Sequence, residues 1–197
     1  MNTLVIIPSR LSATRLPGKP LLKINGLSII SHVFKKAEEA NIGEVLVATE
    51  DQEIMDDVKK NGGQAILTKK LHKTGTDRIY EALQKVDNSN IDLIMNLQGD
   101  EPLMNTKDII NLNIQMKKNN SQLGTLASEI SDKKLHENKN VVKVITKEKL
   151  NFSNFPEATN FIRINYEKKE NIYHHLGIYC YQIETLQNFV SFNQSSN

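Results

Sequence analysis

The sequence predicts an α/β fold: a mostly parallel sheet with helices on both faces, joined to a smaller mixed β part. Three observations predict it. Short continuous apolar runs, typical of strands buried on both faces, alternate with segments of helical period up to about residue 120. Glycine and Asn-Gly punctuation separates those segments. After Gln122 the rhythm changes to strands divided by irregular, Asn- and Lys-rich stretches.

The elements follow in order. Leu4 to Pro8 is a buried strand, and Ser9 to Pro20 a long loop. Asn25-Gly26 marks a turn. Ser28 to Ala40 places Ile29, Ile30, Val33, Phe34 and Ala37 on one helical face, which core packing explains. Glu44 to Thr49 is a second buried strand. Asp51 is expected to cap a helix that Gly62-Gly63 stops. Gln64 to Thr68 is a short strand, and Thr76 to Val86 a helix with Ile79, Ala82, Leu83 and Val86 on one face. Asp92 to Leu97 is a fourth strand and Thr106 to Lys118 a helix. This β-α alternation is the pattern of a parallel sheet covered on both sides. Beyond it, Leu123 to Ile130, Val141 to Thr146 and Tyr173 to Tyr181 read as strands. We therefore expect one domain overall, with a nucleotide-binding α/β half over residues 1–120 and a mixed second half over residues 121–197.

Composition excludes several classes. The 197 residues carry a formal net charge of +2, which gives no nucleic-acid or membrane signature. Hydrophobic residues make up 39%, enough for a packed core and too many for wholesale disorder. The single cysteine, Cys180, rules out an intrachain disulfide framework and reads as an inert core thiol. The apolar run at the N-terminus stops at Pro8 and has no basic segment before it, so a cytoplasmic protein is expected. Only four arginines occur: Arg10, Arg15, Arg78 and Arg163. Three of them fall in the segments that carry chemistry. His72, His136 and His174 read as surface or loop histidines.

Open parallel sheets bind ligands beyond the carboxyl ends of their strands. After the first strand, Arg10, Arg15 and Lys19 bring three cations close together, while Pro17 and Pro20 stiffen the loop. The segment lacks the glycine pattern of a dinucleotide site or a Walker loop. Its charge suits a triphosphate. After the fourth strand, Gln98-Gly99-Asp100-Glu101-Pro102 places an acid where Mg²⁺ is commonly held against phosphate, and Gly99 permits close backbone approach. After the third strand, Thr74-Gly75-Thr76 opens a helix whose N–H groups suit an anion or a base edge, although either threonine could simply cap it. Together these strand ends point to a Mg-nucleoside triphosphate. They do not identify the acceptor.

Four ordered segments carry a resemblance. They are Ile7 through Leu21, His72 through Arg78, Asn96 through Pro102, and His175-Leu176-Gly177-Ile178-Tyr179. Together they resemble the 3-deoxy-manno-octulosonate (Kdo) cytidylyltransferase family. The resemblance implies a Rossmann-like fold of the nucleotide-diphospho-sugar transferase type. It implies that CTP and Kdo give CMP-Kdo and pyrophosphate with Mg²⁺ as cofactor, for lipopolysaccharide synthesis. By position, Arg10, Arg15 and Lys19 would hold the triphosphate and Asp100 the metal. Thr74, Gly75, Thr76 and Arg78 would bind substrate near the cytidine, and Gln98 and His175 would face the sugar acid. A homodimer built through the second half is also implied.

Departures from the family pattern lie in the second half. Asn154 and His174 stand where the family usually carries arginine. Members are also expected to extend past Asn197, with a second metal-binding aspartate. The alternative expectation is thus a truncated, impaired relative that retains at most nucleotide binding. A non-catalytic α/β binding domain is the third reading.

Overall fold

The computed structural model describes residues 1–12, 16–70, 72–164 and 170–192. Arg15 lies outside them. The chain divides into two compact units. One comprises Met1–Gly124 together with the chain from Ile178, and the other is Thr125–Gly177. The sequence reading divides the chain once, at residue 120, and runs its second half to residue 197, whereas the second unit ends at Gly177. The return of the chain to the first unit was not expected.

The first unit is organised around β1 (Thr3–Ser9). Here β2 (Lys23–Ile24) and β3 (Leu27–Ser28) form a small hairpin. Its turn residues Asn25 and Gly26 have φ of 50° and 83°, as a two-residue hairpin of the primed type requires. Then follow α1 (Ile29–Ala40), β4 (Gly43–Thr49), α2 (Gln52–Lys60), β5 (Ala65–Leu67), α3 (Gly75–Gln84), β6 (Leu93–Asn96), α4 (Thr106–Asn119) and β7 (Leu123–Ser128). Strands β5, β4, β1 and β6 lie parallel in that order. After the second unit's α5 (Lys133–Glu137), β8 (Lys143–Thr146) and β9 (Ala158–Ile162), the chain enters β10 (Ile172–Gln182). The last residues of β10 pair antiparallel with β6, Tyr179 opposite Asn96 and Gln182 opposite Leu93. The final helix α6 (Ile183–Ser191) follows.

Side-chain alternation along the strands builds two cores. Leu4, Ile6, Leu46, Ala48, Ile94 and Tyr181 face Ile79, Ala82 and Leu83 of α3 and Leu186 of α6. Val5 and Ile7 project the other way, the side on which α1 contacts β1, β4 and α4. Helix α1 starts where Ser28 accepts a hydrogen bond from the Ser31 N–H. Asn41 and Asn120, both left-handed, end α1 and α4. Cys180 is fully buried in β10, and burial pushes its thiol up to about 12, so it is an unreactive core group.

The second unit is a small antiparallel arrangement in which β8 pairs with β9 and with the start of β10. Lys143 is fully buried there, and its Nζ donates to the carbonyls of Asn138 and Arg163, 2.7 Å each. Burial pushes its ammonium below the usual lysine range. Strand β9 lies inside the stretch read from sequence as irregular. Its residues are mostly exposed, so no apolar alternation announced it.

Candidate active site

Three strand ends meet at one cleft of about 210 Å³, lined by Pro8, Ser9, Arg10, His72, Lys73, Thr74, Gly75, Arg78 and Gln98. The fold explains the convergence. In a parallel sheet the carboxyl ends of β1, β5 and β6 share one edge, so segments distant in sequence become neighbours. Gly99 keeps the β1 and β6 ends close, because a Cβ there would stand 2.9 Å from the Pro8 carbonyl oxygen.

Of the residues expected to bind substrate, Arg10, Thr74, Gly75, Arg78 and Gln98 line the cleft. Thr76 does not line it; its hydroxyl hydrogen-bonds Tyr181, whose own hydroxyl burial drives up to about 12. His175 belongs to the second unit. Its ring stands edge-on to Phe161 with centroids 5.0 Å apart, and Nε2 is 2.9 Å from Thr125 Oγ1. Burial, and then neighbouring His174, lower its pKa from the usual histidine value.

Thr74 is an N-cap. Its hydroxyl accepts from the Asp77 N–H, and Asp77 in turn takes the Thr74 N–H at 2.9 Å, completing a capping box. Arg78 differs more from expectation. It is 3% exposed, with Nη2 2.6 Å from Glu50 Oε2 and Nη1 2.5 Å from Thr68 Oγ1. Its charge is already neutralised inside the protein. Arg78 therefore ties α3 to the ends of β4 and β5 while presenting one side to the cleft.

Lys19 and Asp100 bond each other. Lys19 Nζ stands 2.7 Å from Asp100 Oδ2, at 32% and 52% side-chain exposure. Lys19 sits in a short helical turn, Lys19–Leu21, behind left-handed Gly18 and ahead of buried Pro20. The Gly18 N–H reaches back to the Leu11 carbonyl at 3.0 Å, closing the described ends of the loop.

Sequence reasoning gave Glu50 no role, read Asp51 only as a helix cap and read His72 as a surface or loop histidine. Asp51 holds the N-cap position of α2 but makes no side-chain cap bond there. Its carboxylate accepts the Leu11 N–H at 2.7 Å, pinning the cationic loop. The signal was available, because both acids end a parallel strand. His72 is no simple surface residue. It lines the cleft with Nε2 2.5 Å from Glu81 Oε2. Burial alone would raise the Glu81 carboxyl, but bonds from Lys85, the Lys69 N–H and His72 bring it down to about 2.

Mg²⁺ fits this chemistry. The Asp100 carboxylate is a hard oxygen donor at a strand end, half-open to solvent, and it already draws one cation to hydrogen-bonding distance. Among the described residues no three His, Cys, Asp or Glu side chains cluster as a metal cage. One carboxylate suits an ion that keeps its waters and takes phosphate oxygens as further ligands.

A family model described as "Cytidylyltransferase" matches residues 4–196. A curated 3-deoxy-manno-octulosonate cytidylyltransferase of Nitrobacter winogradskyi is 41% identical over 96% of this chain and 74% of its own length. The chain belongs to the 3-deoxy-manno-octulosonate cytidylyltransferase family. A second member, from Thermodesulfovibrio yellowstonii, is 40% identical over 99% of this chain and 81% of its own. Among solved structures, the CMP:2-keto-3-deoxy-manno-octonic acid synthetase complexed with CTP superposes with a TM-score of 0.88. It shares 35% identity and covers 100% of this chain and 80% of that one. The 4-diphosphocytidyl-2C-methyl-D-erythritol synthase of Anaerococcus prevotii, at 13% identity and a TM-score of 0.62, shares the fold.

Proposed function

We propose that this chain transfers CMP from CTP to the anomeric hydroxyl of Kdo. The hydroxyl oxygen forms a bond to the α-phosphorus, the α–β bridging bond breaks, pyrophosphate leaves, and the hydroxyl proton passes to solvent. The observation that carries this reading is the likeness, across all of this chain and 80% of the other, to a CTP-bound relative at 35% identity. The cleft supports it with Arg10, the Gly75 turn and Gln98 around one space. Arg10, Arg15 and Lys19 are assigned to the triphosphate, Thr74, Gly75, Thr76 and Arg78 to the nucleoside side, and Gln98 and His175 to the sugar acid. Asp100 would hold Mg²⁺, which supplies charge neutralisation to the phosphates. No protein nucleophile is required, because positioning and electrostatics carry phosphoryl transfer. In this reading the product supplies lipopolysaccharide synthesis from the cytoplasm, and the protein works as a homodimer. No helix among the described residues is long and apolar enough to cross a membrane.

The test is pyrophosphate release, expected only when CTP, Kdo and Mg²⁺ are all present. A second reading, nucleotide binding without turnover, draws on Asn154. That side chain accepts the Asn151 N–H and donates to the Lys149 carbonyl, closing a local turn where the family usually has a cation. A rise in melting temperature with Mg-CTP but no pyrophosphate would select it.

A further inference from the structure

The two groups assigned to opposite partners in the Mg-nucleotide, Lys19 and Asp100, are bonded to each other at 2.7 Å. We infer that Lys19 is a place-holder for the divalent cation: its ammonium occupies Asp100 until a triphosphate draws it away, so the metal reaches Asp100 with the nucleotide and not ahead of it. The inference rests on the CTP reading above.

Three observations carry it. First, the ammonium takes Oδ2 of the carboxylate that would ligate the ion. An ion entering at about 2.1 Å from the same group would meet a neighbouring positive charge. Second, hydrogen bonds hold the backbone of Lys19, and its charge sits at the end of a four-carbon stem. The Lys19 N–H is bonded to the Leu16 carbonyl, the Leu22 N–H to the Lys19 carbonyl, and Pro20 is buried. The four-carbon stem can therefore swing its charge without moving the loop. Third, the pair is partly open to solvent, so it is exchangeable. Such a pair biases an equilibrium by up to about fivefold. A triphosphate, with several negative charges, outcompetes a single carboxylate for the ammonium.

The experiment measures Mn²⁺ binding by electron paramagnetic resonance on the nucleotide-free full chain. Lys19→Met is expected to bind Mn²⁺ about two- to fivefold more tightly than the unaltered protein. Adding Asp100→Asn is expected to remove that gain, placing it at Asp100. Lys19→Gln, which keeps the polarity and much of the length of the side chain, should behave like Lys19→Met and serves where the latter folds poorly. Equal or weaker Mn²⁺ binding without Lys19, or a gain that survives Asp100→Asn, overturns the inference. A parallel titration with CTP tests the underlying reading separately. An unaltered chain whose Mn²⁺ binding and melting temperature do not respond to CTP overturns the nucleotide site itself, whatever Lys19 does to the free metal.

Discussion

Two ion pairs lie at the carboxyl edge of the first unit's sheet and differ in almost every respect but chemistry. Arg78–Glu50 is sealed, with side chains 3% and 11% exposed. Lys19–Asp100 is partly open to solvent. In the sequence Lys19 reads as part of the cationic loop after the first strand, and Arg78 takes a substrate role only through the family resemblance. Burial separates them. A buried guanidinium with a fixed carboxylate and hydroxyl partner holds architecture, because removing either member strands a charge away from water. An exposed ammonium on a flexible stem gains little from its partner and can give it up. The edge thus has a rigid part and an exchangeable part.

The comparison can be broken most forcefully at Arg78. Arg78→Met is expected to destabilise the fold by about 3–5 kcal/mol, because Glu50 keeps a buried, unpaired charge. The melting temperature should fall on the order of 10 °C in a thermal scan. A small loss would mean that the two pairs are alike after all. Lys19→Ala should do the reverse, leaving the melting temperature within about 2 °C while CMP transfer drops roughly 100-fold in a pyrophosphate assay. Thr74→Ala probes the rim between them. Loss of the cap should cost about 1 kcal/mol, a shift of about 2–4 °C, measured by the same scan.

Acid should sharpen the contrast further. The Glu81 carboxyl, beside His72, is held at about 2 against an ordinary 4.5. A carboxyl lowered on folding contributes stability that is complete above its unfolded value and is lost as pH falls through the folded one. The Glu81 contribution should therefore decline between pH 4.5 and about 2. Glu81→Gln should flatten the acid limb of a stability–pH curve in that window, and an unchanged slope would place the acid sensitivity elsewhere.

Much of the first unit was legible because its strands are uninterrupted apolar runs and its helices have one apolar face. The boundaries moved by a residue or two, as with the helix expected at Thr76 that begins at Gly75. Helix α6 was not foreseen, although Ile183, Leu186 and Val190 recur at helical spacing and pack against the core. Strand β9 was missed because its residues are mostly exposed. In the site, strand-end reasoning pointed to Arg10, Gly75, Gln98, Lys19 and Asp100, of which Arg10, Gly75 and Gln98 line the cleft. It could not tell which cation was already neutralised, since Glu50 is 28 positions from Arg78. Charge type is visible in a sequence, whereas pairing across a sheet edge depends on register. Arg15 lies outside the described residues, so its part in the loop rests on its position alone.

The split path of the chain has a consequence for synthesis on the ribosome. The first unit takes its antiparallel strand from the end of β10 and part of its core from Tyr181 and Leu186. Those residues emerge only after the whole of Thr125–Gly177. Until then one side of β6 has no antiparallel partner, and the apolar floor under Ile94 lacks two of its side chains. The nascent first unit carries that open strand edge while the more than fifty residues of Thr125–Gly177 are added, and open edges are sites of unwanted pairing. The pace of elongation across that stretch therefore bears on how much of the protein is recovered folded.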